Sequence, residues 1–211
     1  MQFKSLEEQV VYYALSGTWI IYFLGCTYLM PPVMGWTLIG VWAARRIKGE
    51  YDRRIPALVW VWIASMLVME IALIAGHFNY NLPLPLLIKS SIGWMKGWAL
   101  FGVFALIGAC MQIRTSVLIE AASKVAVQTL WLIPIMLIAP MIGIPGTLYN
   151  SPLAMLGGPG PEYFEVQIYG QGFVGDTRWR FFAPWAPAAT VAFGILTPLF
   201  IRHPSKWIVF A

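Results

Sequence analysis

Two arginines separated by one residue, Arg178 and Arg180, interrupt a stretch in which Thr177, Trp179 and Phe181 take the alternate positions. On a β-strand, residues two apart share a face and stand roughly 6.5–7 Å from one another, so both guanidiniums point the same way. Each can fork onto the oxygens of a phosphate, and a diphosphate offers two such groups at a comparable spacing. The same arginines can equally be cross-strand partners of Glu165 on a solvated face, an arrangement worth roughly a few tenths of a kcal/mol.

A second set of charges lies inside apolar sequence. Glu70 sits deep in one hydrophobic run, and Lys89 and Lys96 lie at the start of the next and further within it. A charge at such depth costs ~2.5–3.5 kcal/mol on insertion scales unless paired or hydrated. Lys89 and Lys96 are seven apart and share a helical face. Pairing of Glu70 with Lys96 is the plainest reading. Lys89 can snorkel to headgroups or stand as a third cation above the same diphosphate. An ion-coupled transporter built on Glu70 is the weaker alternative, because no internal repeat accompanies it. The two histidines, His77 and His203, belong to opposite ends of different apolar runs, and Cys26 and Cys110 are surrounded by apolar residues. No metal set, no cofactor motif and no nucleotide-binding loop is read here.

These residues are positioned by a membrane protein. Of 211 residues 59% are hydrophobic and only 11% charged, far from the ~25% charged content of soluble domains. The eleven tryptophans and nine tyrosines suit headgroup interfaces. The basic residues form no dense run with stacking aromatics outside apolar flanks, which argues against nucleic acid as a partner.

The expected fold is all-α and polytopic, a single membrane domain over 1–211 with about six transmembrane helices and the start of a seventh. Residues 10–44 form two short spans broken at Pro31-Pro32. Further spans follow at 55–76, 86–111, 125–144 (after an amphipathic lead-in, 116–124) and 183–201. The last five residues begin a seventh, so the chain reads as the front part of a longer protein. Residues 146–182 form one long outer loop, whose segments Phe164–Tyr169 and Thr177–Phe181 alternate like the arms of a β-hairpin. Lys4, Arg45, Arg46, Lys48, Arg53, Arg54, Arg114, Lys124, Arg202 and Lys206 then fall on one side, which places the N-terminus in the cytoplasm. Lys89, Lys96, Arg178 and Arg180 are the exceptions, and there chemistry is expected.

The layout resembles the front half of the O-antigen ligase and polysaccharide polymerase family of bacterial inner membranes. The likeness is carried by short paired spans at the start, by single spans leading to an outer loop, and by Arg178-Trp179-Arg180-Phe181-Phe182-Ala183-Pro184-Trp185-Ala186-Pro187-Ala188 running into a span. Arg180, Ala183 and Pro187 match an Arg, a small residue three positions on and a Pro-containing turn. Ala183 stands where the family usually has Gly, and the family's catalytic His belongs to a further outer loop. The resemblance implies transfer of a glycan from an undecaprenyl diphosphate carrier to a glycan or lipid acceptor at the outer face of the inner membrane, without a cofactor or metal. Arg180 would be the catalytic cation, with Arg178, Lys89 and Lys96 binding substrate. A non-catalytic membrane subunit or translocator of lipid-linked glycans is the alternative.

Overall fold

The computed structural model describes residues 2–50, 54–171, 177–184 and 186–201. It is mostly helical, with eight α-helices and four short strands among those residues: α1 (Leu6–Ser16), α2 (Thr18–Phe23), α3 (Met30–Ile47), α4 (Ala57–Asn79), α5 (Leu84–Lys96), α6 (Ala99–Cys110), α7 (Thr115–Ile138), β1 (Thr147–Asn150), β2 (Glu165–Gln167), β3 (Gly170–Gln171), β4 (Thr177–Arg178) and α8 (Ala186–Ile201). Three helical stretches are long and apolar enough to cross a membrane: α4, α5 with α6 (Leu84–Cys110), and α7. The 23 residues of α4 reach roughly 34 Å at 1.5 Å each, against a hydrocarbon layer about 30 Å thick.

The local reasons are visible in the sequence. Ser5 caps α1 by accepting from the Glu8 N–H, and Glu7 and Glu8 occupy the first turn, where the helix dipole favours carboxylates. Pro31 and Pro32 fall in the first turn of α3, where a missing N–H costs nothing. The proline pair therefore begins a helix rather than ending one. The run 10–44 is cut instead at Gly17 and in the turn between α2 and α3, giving three helices where two spans were expected. The expected lead-in 116–124 and the span after it form one continuous helix, α7, which stops at Ile138 before a turn in which Gly143 has φ +76°. Arg53, Arg202, His203, Lys206 and the expected seventh span lie outside the described residues.

The chain divides into two compact bodies, 31–113 and the combination of 1–30 with 114–211. In the second of these, α1 and α2 run parallel to α7. Tyr12 packs with Val117 and Ala121, the Gln128 side-chain amide donates to the Ser16 carbonyl (3.1 Å), and the Trp19 indole donates to the Thr129 hydroxyl (2.9 Å). At the start of this pairing the Arg114 guanidinium forks onto the buried Glu8 carboxylate, Nε to Oε1 and Nη2 to Oε2 at 2.6 Å each. Nη2 also donates to the Gln2 carbonyl at 2.8 Å. The fork holds the Glu8 carboxyl down at about 2, despite the burial that opposes ionisation, with the Lys4 and Arg114 backbone N–H groups adding to the effect.

In the body 31–113, α4 runs antiparallel to the α5–α6 pair. Val59 packs with Leu106 and Cys110, Gly102 faces Ile63, and the Trp94 indole donates to the Met66 carbonyl (3.1 Å). Near the far end of α4, the His77 ring meets the Leu73 carbonyl (2.9 Å) and Ser90 Oγ (3.4 Å). In contrast, α3 runs parallel to α5–α6: the Trp36 indole donates to the Met95 carbonyl at 3.1 Å, and further along both, Ile39 and Trp42 pack on the cluster of Val59, Leu106 and Cys110. Arg45 and Arg46 end α3, where cations suit the dipole. Arg46 lies over the Trp42 ring, and Arg45 reaches Glu50.

Because the folded Glu8 carboxyl titrates far below its ordinary value of 4.5, its contribution to stability is complete above that value and is lost as pH falls towards 2. The unfolding temperature of the protein in neutral detergent should decline across that window. Glu8→Gln should lower it at neutral pH and flatten the decline; an unchanged acid profile in Glu8→Gln would remove the fork as its cause.

Candidate anion site at the start of α8

The loop that carries the two arginines is pinned to α2 by tyrosine hydroxyls. Tyr22 donates to the Gln167 carbonyl (2.5 Å) and accepts from the Gln167 N–H (2.9 Å), Tyr149 donates to the Phe23 carbonyl, and Ser151 donates to the Leu24 carbonyl. Gly25, at φ +66°, touches Ser151 so closely that no Cβ would fit between them. Beneath the loop, Trp19, Tyr22, Val125, Met136, Val166 and Phe182 form one buried cluster, with Trp179 and Phe181 packed on its edge. Trp179 also donates its indole N–H to the Met136 carbonyl at 3.2 Å.

The hairpin expected between 164–169 and 177–181 is built differently. The first arm pairs with β1, in the register Thr147↔Gln167, Tyr149↔Val166 and Asn150↔Glu165. The second pairs, among the described residues, with β3, in the register Gly170↔Arg178 and Gln171↔Thr177. Hydrogen bonding explains the change. Ile168 N–H turns towards β1 and bonds the Gly146 carbonyl, so the N–H and C=O of Gln167 face the other edge of β2, and there the Tyr22 hydroxyl takes both. Glu165 thus lies opposite Asn150, and its carboxylate accepts from the Gln167 side chain. It makes no ion pair with either arginine among the described residues.

Arg178 is exposed on β4. Arg180 lies two residues on, beyond the strand, and is half-buried. The Arg180 carbonyl accepts from the Ala183 N–H (3.0 Å), closing a turn, and its guanidinium Nη1 donates to the Pro184 carbonyl (3.1 Å). Phe181, inside this turn, sits at φ +52°, a region a bulky side chain occupies only when its surroundings force it. Phe182, next in the turn, is driven into the cluster edge-on to Trp19 at 5.4 Å. Ala183 is itself buried, which explains why a small residue stands three positions after the arginine.

The guanidinium lies flat against Gly170. A Cβ there would stand 2.9 Å from Nε and 3.2 Å from Nη2. Of five N–H donors, Arg180 spends one on Pro184, and among the described residues it has no carboxylate partner. A half-buried guanidinium with donors to spare can accept an anion. Tyr22, which fixes the loop through Gln167, and Gly170, against which the guanidinium lies, are the residues that sequence reasoning missed.

Lys89 and Lys96 belong to α5, in the other body; Lys89 is exposed, and Lys96 is half-buried at the helix end. The expected Glu70–Lys96 pair is not formed: Glu70 makes no ion pair among the described residues, and its Oε2 is buried without a hydrogen bond. No group of three or more metal-ligating side chains occurs among the described residues. The chain has no significant match among family models, curated proteins or solved structures.

Tyr22→Phe should leave a buried N–H and carbonyl of Gln167 unpaired, at about 1–3 kcal/mol for each unsatisfied group. Limited proteolysis within 146–182 should quicken while helix content is kept; an unchanged cleavage rate would dismiss the tyrosine as the anchor. Gly170→Ala should displace the Arg180 side chain at little cost to stability, because the group in its way is the end of a flexible chain. Weaker binding of a diphosphate lipid at an unaltered unfolding temperature is the expected result.

Proposed function

We propose that the protein takes part in glycan transfer from an undecaprenyl diphosphate carrier at the outer face of a bacterial inner membrane, in the manner of the O-antigen ligase and polymerase family it resembles. The observation that carries this reading is Arg180: a half-buried guanidinium, without a carboxylate partner among the described residues and with most of its donors unspent, fixed just before α8. In this reading it stabilises the charge that develops on the diphosphate as the glycosidic bond breaks. Arg178, two residues earlier on β4, supplies a second cation.

The directions of the helices support the membrane path. In a six-span path that starts in the cytoplasm, α1 and α2 share their direction with α7, while α4 opposes α3 and α5–α6. Those are the senses in which they pack within each body. Lys4 and Arg114 then stand at the cytoplasmic start of α1 and α7, and Arg45, Arg46 and Arg54 at the cytoplasmic ends of α3 and α4. The loop with Arg180 follows α7 and so belongs to the opposite face. The buried Ala183 after the arginine, and Pro187 in the first turn of α8, agree with the family pattern.

A second reading, binding and movement of a lipid-linked glycan without transfer, is favoured by the residues around Arg180, which include no histidine among those described. One experiment separates the two. Arg180→Ala in the full protein should cut glycan transfer by about 10²-fold with membrane insertion unchanged, and Arg180→Lys should recover only part because it keeps the charge but loses the fork. Donor binding without any transfer by the wild type selects the second reading. Undiminished transfer by Arg180→Ala at normal expression overturns the first.

A further inference from the structure

Glu70 is the acidic group that the anion site does not use. It lies on α4 nine residues before Asn79, roughly 13 Å from the nearer helix end, and Val59 is the one fully buried residue of α4. Its Oε2 is buried without a hydrogen-bond partner, and the residue makes no ion pair among those described. The carboxyl opens into a groove between α4 and α5 of about 440 Å³. The remaining walls are Ile74, Leu87, Ile88, Ile92 and Met95, with Trp94 and the Ser91 hydroxyl. Trp94 has no donor to offer, because its indole N–H is already spent on the Met66 carbonyl.

A carboxylate in hydrocarbon without a counter-charge is costly, and a proton or a cation relieves that cost. The groove says what kind of cation fits. A bare metal ion needs several oxygens, and this wall supplies only one carboxylate and one hydroxyl. A sugar or a zwitterion would bring polar groups that the apolar walls cannot satisfy. A single ammonium head fits Glu70, with Ser91 as a second acceptor, and a hydrocarbon tail fits Ile74, Leu87, Ile88 and Ile92. We propose that the α4–α5 groove is a binding site for an alkylammonium amphiphile, its head on Glu70 and its chain along the aliphatic wall. The site is independent of Arg180.

The test uses the whole protein in neutral maltoside micelles, with radiolabelled dodecylammonium as probe and 1-dodecanol as the uncharged control. Saturable binding of the amine is expected, about tenfold weaker in Glu70→Gln, with dodecanol unable to compete at equal concentration. Ile92→Trp, which keeps the carboxylate and fills the groove, should abolish amine binding and decides the matter should Glu70→Gln not fold. Arg180→Ala should leave amine binding unaltered. The proposal is overturned by absence of saturable amine binding, by equal binding in wild type and Glu70→Gln, by dodecanol competing as well as the amine, or by unchanged binding in Ile92→Trp.

Discussion

The parallel pairing of the first thirty residues with α7 is the constraint on which the candidate site rests. Its first contact is the fork between Glu8 and Arg114, two charges that would be expensive to desolvate separately and that satisfy one another at 2.6 Å. Once these ends are joined, the spacing along both helices brings Tyr12 to Val117, Ser16 to Gln128 and Trp19 to Thr129. The last of these sets Tyr22 just beyond. The fork at one end of the pair therefore determines where a phenol stands at the other.

Tyr22 converts that helix pairing into loop structure. Its hydroxyl occupies the N–H and carbonyl of Gln167 and caps an edge of β2 that would otherwise be open to pairing. The aromatic cluster completes the arrangement from below. Phe182 and Trp179 enter it from either side of Arg180, so the arginine backbone is held twice while its half-buried side chain lies against Gly170. The positive φ of Phe181 is the local cost of that double anchoring.

Much of the helix architecture was legible in the residues. Long apolar runs forecast α4, α5 with α6, and α7, because a backbone in hydrocarbon must satisfy its own hydrogen bonds, and the helix does so locally. The expected breaks were less well placed. Pro31-Pro32 reads as an interruption, yet proline at the start of a helix is cost-free, and the actual breaks came at Gly17 and in the turn after α2. The alternation of 164–169 correctly announced a strand but not its partner, since pairing depends on which chain occupies the free edge.

The sequence by itself determined the apolar helices, the surplus of cations beside them, the polar loop between residues 146 and 182, and the placement of Arg180 at the entry to α8. Those are local properties, carried by hydropathy, charge and spacing within a few turns. Only the tertiary structure decided that Arg114 answers Glu8, that Gln167 is claimed by Tyr22, and that Glu70 is left without Lys96. Each of those choices joins or separates groups far apart along the chain, 106 residues for Glu8 and Arg114 and 145 for Tyr22 and Gln167. Such distant matches follow from how the helices pack, and no periodicity within a single segment encodes them.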